Sequence, residues 1–386
     1  MRFKAATWTL AILLVGSAAS ANSLADVEKV GGMIYRDTRL STNNNQSCMT
    51  CHHPAAGFAD PDNRRDPYNL PVSEGSVPGL FGGRNAPSAA YAGYSPIFTW
   101  NPDMGGYVGG MFWDGRATGE DLGDPLAEQA RGPFLNPVEM GLTKDEVVSR
   151  VAASRYAGFF ESVYPNTNWT DVDATYNNIA RAIAAFERSR AVTRFNSKFD
   201  RFWEACRSRG IDTGAIGVSV DPADVPTRIL SRGELKGLAL FNGKAGCAAC
   251  HVSSDFEPGT VPPLFTDYTY DNLGIPTNPK LYELAGGTPP DLGLGGRLGE
   301  ADQNGKFKVP TLRNVTKSAP YGHNGYFPTL GAIVNFYNLR DVPGSIWYEV
   351  PPEVPENVNR TEMGDLGLNA REEAWIVAFL HTLTDR

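Results

Sequence analysis

Histidine and cysteine are both scarce in this chain, at five of each in 386 residues. Five cysteines cannot staple a disulfide scaffold, and the odd number leaves one over. Positive charge is in deficit as well, with 35 Lys+Arg against 43 Asp+Glu. That balance argues against a nucleic-acid binder, which would carry a basic face. The apolar run Trp8 to Val15 falls well short of the ~18 residues that a membrane-spanning segment needs. No membrane anchor is expected. What is present is ordinary globular material, 41% hydrophobic and 20% charged, which excludes wholesale disorder. The length suits two domains, and 41 glycines with 28 prolines predict many loops.

The amino terminus predicts a compartment. Arg2 and Lys4 precede the short apolar run, and Ala19-Ser20-Ala21 follows it. This is the pattern of a cleaved signal peptide over residues 1–21, with Asn22 as the mature start. The expected product is a soluble, acidic, periplasmic protein.

Four cysteines form two copies of one pattern, Cys48-Met49-Thr50-Cys51-His52 and Cys247-Ala248-Ala249-Cys250-His251. C-x-x-C-H is the attachment signature of a c-type haem. Each thiol can form a thioether to a vinyl group, and the adjacent histidine can ligate the iron. A thioredoxin-like pair or a zinc site would fit one copy alone. Two copies, each ending in His, predict two covalent haems with one in each domain.

Elimination narrows the remaining iron ligands. Only His53, His323 and His381 are left over, and His53 is too close to His52 to reach the opposite haem face. Between Pro54 and Asn101 there is neither His nor Met. The first haem is therefore expected to keep an open distal side, as reaction with peroxide or oxygen requires. A saturated electron-transfer haem would have to recruit Met104 or Met111. Cys206 has no partner once the haem cysteines are used, and reads as a buried, idle thiol.

Helix signals surround the motifs. Thr143 with Glu146 and Ser231 with Glu234 read as capping boxes. Ile179, Ile183 and Phe186 mark an amphipathic helix over 175–188. Asn369 should cap a last helix whose His381 is a surface or packed residue rather than a ligand. The run Gly293 to Gly299 lacks the spacing and strand context of a nucleotide loop. No internal repeat is evident beyond the two motifs. The chain divides into the signal peptide, an N-terminal haem domain over 22–172 and a C-terminal haem domain over 173–386.

Other segments carry a resemblance. Arg84 to Ser88, Phe112 to Arg116, Glu128 to Pro133, Asn136 to Gly141, Leu240 to Cys247, Asp271 to Pro276 and Lys308 to Val315 are together similar to the bacterial di-haem cytochrome c peroxidase family, and within it to the MauG-like branch. The resemblance implies a mainly α fold of two cytochrome-c-like domains. It also implies roles for matching positions. Trp113 matches a relay between the haems. Gln129, Pro133 and Glu139 match the distal pocket of the peroxide-reactive haem, where Glu139 suits the movement of a proton between peroxide oxygens. Asn85 with the carbonyls of Ser318 and Pro320 matches an all-oxygen Ca²⁺ site. The segment 118–124 is longer than in the family's short forms.

Two departures sort the branch. The loop after the first motif lacks the histidine that many members must displace before peroxide can bind. Where such members supply a Met after the Pro320-to-Gly325 segment, this chain has Tyr337, the MauG-like choice. Leu330, Ile333/Val334 and Tyr337 share one helical face. A phenolate favours higher oxidation states, whereas Met raises the potential. Met363 would be the ligand if Tyr337 were only a core aromatic. The resemblance thus implies an oxidoreductase that uses H₂O₂ to reach a bis-Fe(IV) state. That state would oxidise another exported protein, at tryptophan. The alternative is a peroxidase fed with electrons by a small cytochrome or cupredoxin. A carrier with both haems saturated is a third possibility.

Overall fold

The computed structural model describes residues 23–225, 228–254 and 261–386; the expected signal peptide lies outside the described residues. Among these residues the architecture is mainly helical. Eight helices have nine residues or more: α1 (Leu24–Tyr35), α2 (Pro125–Leu135), α3 (Lys144–Ala152), α4 (Val172–Arg188), α5 (Lys198–Arg207), α6 (Arg232–Asn242), α7 (Leu330–Leu339) and α8 (Ala370–His381). Two small antiparallel ribbons accompany them. In one, β1 (Thr99–Asn101) pairs with β2 (Gly106–Val108), and in the other β3 (Tyr270–Asp271) pairs with β4 (Phe307–Lys308). The predicted caps form as reciprocal side-chain bonds at Thr143/Glu146, Ser231/Glu234 and Asn369/Glu372. Each satisfies amide groups that a helix start would otherwise leave orphaned. His381 is exposed.

Two hydrophobic cores organise the chain. The first gathers Val30, Ile34, Val151, Phe160, Ile183 and Phe186; the second gathers Phe199, Leu238, Phe265, Phe336, Ile376 and Phe379. Each such side chain contributes about 1.5–3 kcal/mol when fully buried. The division expected at 172/173 is corrected here. Helix α4 buries Tyr176, Ile179, Ile183 and Phe186 in the first core, and the chain passes to the second between Val192 and Phe199. The apolar stripe on α4 was readable; the core it would face was not.

Each core is built on one crossing helix pair. A Cβ added at Gly31 of α1 would fall 1.8 Å from the Ala182 carbonyl oxygen of α4. One added at Gly237 of α6 would fall 1.9 Å from the Trp375 carbonyl oxygen of α8. Both backbones therefore meet at a point that only glycine permits. The next apolar contact is the same too, Phe186 in one pair and Phe379 in the other. The two halves therefore repeat more than the two motifs, and the expectation of no further repeat is corrected.

A buried seam joins the halves. The Tyr91 hydroxyl donates to both Asp385 oxygens, at 3.0 and 2.9 Å, and Asn314 Nδ2 donates to Asp385 at 3.0 Å. Beside it Arg313, fully buried, pairs with Asp200 at 2.8 Å and donates to the Pro263 carbonyl. Its guanidinium also lies 5.0 Å from the Tyr91 ring and 4.8 Å from that of Phe195.

Candidate functional site

Both C-x-x-C-H motifs form a single helical turn, with the histidine amide bonded to the first cysteine's carbonyl at 2.8 Å for His52 and 2.9 Å for His251. In each, the ring Nδ1 lies within hydrogen-bond distance of a backbone carbonyl: 3.1 Å from Phe58 for His52, 2.9 Å from Phe265 for His251. A carbonyl only accepts, so Nδ1 carries the proton and Nε2 keeps its lone pair. This is how an iron-ligating histidine is oriented. Burial lowers the pKa of both rings, to about 4 at His251, which keeps them neutral. The accepting phenylalanines both hold positive φ, 63° at Phe58 and 56° at Phe265.

The parallel continues along both halves. Ser88 Oγ donates to the Gly57 carbonyl and Thr311 Oγ1 to the Leu264 carbonyl, each at 2.6 Å. Tyr91 and Asn314 then turn the chain at φ 65° and 61°. Next come two matching loops, closed by the bridges Met111–Ala117 and Tyr321–Phe327. Within them Asp114 and Asn324 each accept the amide two residues on, at 3.2 Å. Trp113 and His323 occupy equivalent places. Helices α2 and α7 follow, capped by Asp124 and Thr329. Counting from these caps, Gly132 of α2 corresponds to Tyr337 of α7.

The second cradle is a mainly apolar cavity. Cys247, Cys250 and His251 line one side of it, and Leu330, Val334 and Tyr337 of α7 line another. Burial, with the two cysteines nearby, raises the Tyr337 pKa far above the ordinary phenol value. A cation at this place would reverse that preference. Met363 lines the cavity too. The donor set and the apolar walls fit a haem held through His251.

The first half differs at the matching place on α2. Gly132, Phe112, Arg116, Asn136 and Glu139 line an opening at the surface. Glu139 is half-buried; burial raises its pKa, opposed by the Asn136 amide, which donates to it at 2.6 Å, and by Arg116. Its charge is felt by both Cys48 and Cys51. Gln129 and Pro133 lie one turn apart on α2. Pro133 has no N–H to donate back to the Gln129 carbonyl. Neither methionine alternative lies at this opening: Met104 is an exposed turn residue, and Met111 lines the second cavity. His53 accepts the Ala55 amide at 3.1 Å instead of facing a haem.

Trp113 lines the second cavity between the halves. Its Nε1 donates to the Asn85 carbonyl at 2.8 Å, and its carbonyl accepts from the Lys308 amide at 2.8 Å. Asn85, Ser318 and Pro320 line the same cavity. Asn85 spends Nδ2 on the Pro71 carbonyl at 2.9 Å and its amide on the His323 carbonyl at 2.8 Å. Cys206 is buried in the second core.

Sequence reasoning missed several neighbours. Lys308 lines the cavity with its ammonium 4.6 Å from the Tyr268 ring, and burial pulls its pKa down to about 7 against the pull of Asp267. His323 stacks on Phe307 at 3.5 Å, with Glu353 3.6 Å from its Nε2. Glu187 of α4 is buried with Oε2 lacking a hydrogen bond among the described residues, and its pKa is pushed up to about 8. Lys308 and His323 lie in segments that carry the resemblance, with no role attached to either; no residue-type pattern marks Glu187.

Comparisons with known proteins agree with this geometry. The profile of the family described as di-haem cytochrome c peroxidase matches residues 25–207. The methylamine utilization protein MauG of Paracoccus denitrificans is 34% identical, with 98% of this chain and 94% of that one covered. Cytochrome c551 peroxidase of Nitrosomonas europaea is 29% identical over 93% and 80%. Among solved structures, the di-haem peroxidase BthA of Burkholderia thailandensis aligns at a TM-score of 0.73. It is 28% identical, with 93% of this chain and 86% of that one covered.

Proposed function

Since this chain belongs to the di-haem cytochrome c peroxidase family, as an oxidoreductase that acts with peroxide and carries two haems, we propose that it uses H₂O₂ to oxidise a partner protein in the manner of MauG. One observation carries the reading: Tyr337 shares a cavity with Cys247, Cys250 and His251, whereas the position that answers to it on α2 is Gly132, beside Glu139 at a surface opening. A small substrate is admitted beside Gly132, and a phenol takes up the matching place in the other cradle. When bound, the haems supply the redox chemistry, taking up the two oxidising equivalents that peroxide brings.

The chain's own residues do the rest. Cys48 and Cys51 would tether one haem and Cys247 and Cys250 the other, with His52 and His251 offering Nε2 to the metals. Peroxide enters beside Gly132. Glu139 removes the proton from the attacking oxygen and delivers it to the departing one, aided by Asn136, which holds the carboxyl, and by Gln129 and Pro133 on α2. A raised pKa suits that exchange near neutrality. Tyr337 would ligate the second metal, and its anionic oxygen would favour the oxidised side of the couple. Trp113 couples the two cradles, and Asn85 with the Ser318 and Pro320 carbonyls would hold Ca²⁺. The oxidised target is a tryptophan of another exported protein in the periplasm.

A second reading, peroxide removal with electrons from a small cytochrome or cupredoxin, is favoured by the likeness to the Nitrosomonas peroxidase. Peroxide added without reductant separates the two. The first reading expects a long-lived, two-electron-oxidised protein that ferrous cytochrome c discharges poorly, and its loss in Tyr337→Met. Rapid discharge by cytochrome c would favour the second reading. A resting EPR spectrum with no high-spin iron would sink both.

A further inference from the structure

The ribbon β1–β2 is not needed to hold either cradle, yet it carries an ordered series of aromatic rings. Trp100 is 48% exposed and lies edge-on to Tyr107, with centroids 5.1 Å apart. Tyr107 stacks on Phe98 at 5.0 Å, nearly parallel at 9°. Phe98 meets Tyr270 of β3 at 5.9 Å. The Tyr270 hydroxyl donates to the Gly109 carbonyl at 2.6 Å and presses against the loop that bears Trp113. A Cβ built at Gly115 would lie 2.2 Å from that hydroxyl oxygen, so the contact exists only because residue 115 is glycine.

A ladder of rings can be mere packing, and Phe98, Tyr270 and Leu294 do form a small core of their own. Two further features are not explained by packing. The Tyr107 hydroxyl donates to both Glu300 oxygens, at 3.0 and 3.2 Å. A tyrosine can lose an electron at modest potential only if its proton leaves as well, and a carboxylate already hydrogen-bonded to the phenol is the acceptor that step requires. Second, the Arg297 guanidinium lies 4.1 Å from the Phe98 ring. A fixed cation there makes a positive charge on Phe98 or Tyr270 costly. The uncharged radical of a deprotonated Tyr107 avoids that cost.

We propose that Tyr107, with Glu300 as its proton acceptor and Trp100 as its outer contact, is the redox-active residue through which electrons enter this protein from an external one-electron donor. The inference rests on the peroxide-driven reading above. Tyr107 gives one electron inward, through Phe98 and Tyr270 toward Trp113, to one of the oxidising equivalents left by peroxide. Its phenolic proton moves to Glu300. The donor then returns one electron to the tyrosyl oxygen, Glu300 returns the proton, and a second cycle consumes the second equivalent.

The test is freeze-quench EPR of the haem-loaded protein after peroxide, with no external reductant, using chains grown with ring-deuterated tyrosine. A narrow radical signal whose lines sharpen on deuteration, which disappears in Tyr107→Phe, forms more slowly in Glu300→Gln and is quenched by ferrocyanide, supports the assignment. Optical spectra of the same samples keep two failures apart. An unchanged radical yield in Tyr107→Phe, with the peroxide-induced haem absorbance change intact, overturns the role of Tyr107 alone. Absence of that absorbance change in the wild type overturns both this role and the reading beneath it.

Discussion

The two cradles share a backbone and differ in a few side chains. Both use a glycine-pinned helix pair, a tethering turn, a histidine steered by a left-handed phenylalanine and a seven-residue loop closed by one bridge. Where they diverge, chemistry changes. Gly132 answers to Tyr337, Trp113 to His323, and Ala90 to Arg313. Matching Ala182 with Trp375 at the helix crossings sets Glu187 opposite Leu380, a residue that lines the second cavity. The scaffold fixes where a metal can sit; single substitutions on it decide whether that metal is open, closed, charged or dry.

The largest test of this contrast is Glu139→Gln. If proton movement belongs to the first cradle alone, the rate of reaction with peroxide should fall by about 10²–10⁴-fold, the range for loss of a general acid–base group. Tyr337→Phe should leave that rate within a few-fold, as stopped-flow mixing would show. Because burial raises the Glu139 pKa, its base form is lost on acidification at a higher pH than for an ordinary glutamate. The rate should therefore rise with pH through that window, and Glu139→Gln should erase the limb. Equal losses in the two variants would break the division of labour.

Next in size is Asp200→Ala, which tests what the second cradle requires for having Arg313 where the first has alanine. The guanidinium would keep its Pro263 carbonyl but lose its buried counter-ion. Breaking one side of a buried pair costs about 3–5 kcal/mol, measurable by denaturant titration. A loss below about 1 kcal/mol, the usual worth of an exposed pair, would show that Arg313 is held by its rings and carbonyl instead.

The smallest effect is expected at Glu187→Gln. Burial lifts this carboxyl to about 8 from an ordinary 4.5, so the folded chain keeps a proton that the unfolded chain releases. Its contribution is fully present below about pH 4.5 and declines as pH climbs toward 8. The glutamine variant should match wild type near pH 4.5 and gain stability relative to it as pH rises toward 8. Parallel stability–pH curves for the two proteins would mean the carboxyl has a partner for its charge.

Legibility in the sequence followed the range of the interaction. Cys48 to His52 and Cys247 to His251 were readable because covalent attachment needs those residues adjacent. The capping boxes at Thr143, Ser231 and Asn369 were readable because a cap acts over three residues. The α4 stripe was readable as a stripe, but periodicity does not say which core it meets, and the domain boundary was misplaced for that reason. The repeat stayed hidden because its identity lies in carbonyls and left-handed turns. Tyr91 and Asn314, or Phe112 and Gly322, share a conformation and no chemistry. The significance of Gly132 emerges only when α2 is laid on α7.

Phe58 and Phe265 carry one further implication. A bulky aromatic residue in the left-handed region is a genuine outlier, and here two of them occur at corresponding positions, each offering its carbonyl to an equivalent histidine. Independent invention would have to reach the same unfavourable solution twice. Duplication of one cradle would need it only once, with Gly132 and Tyr337 as the later divergence.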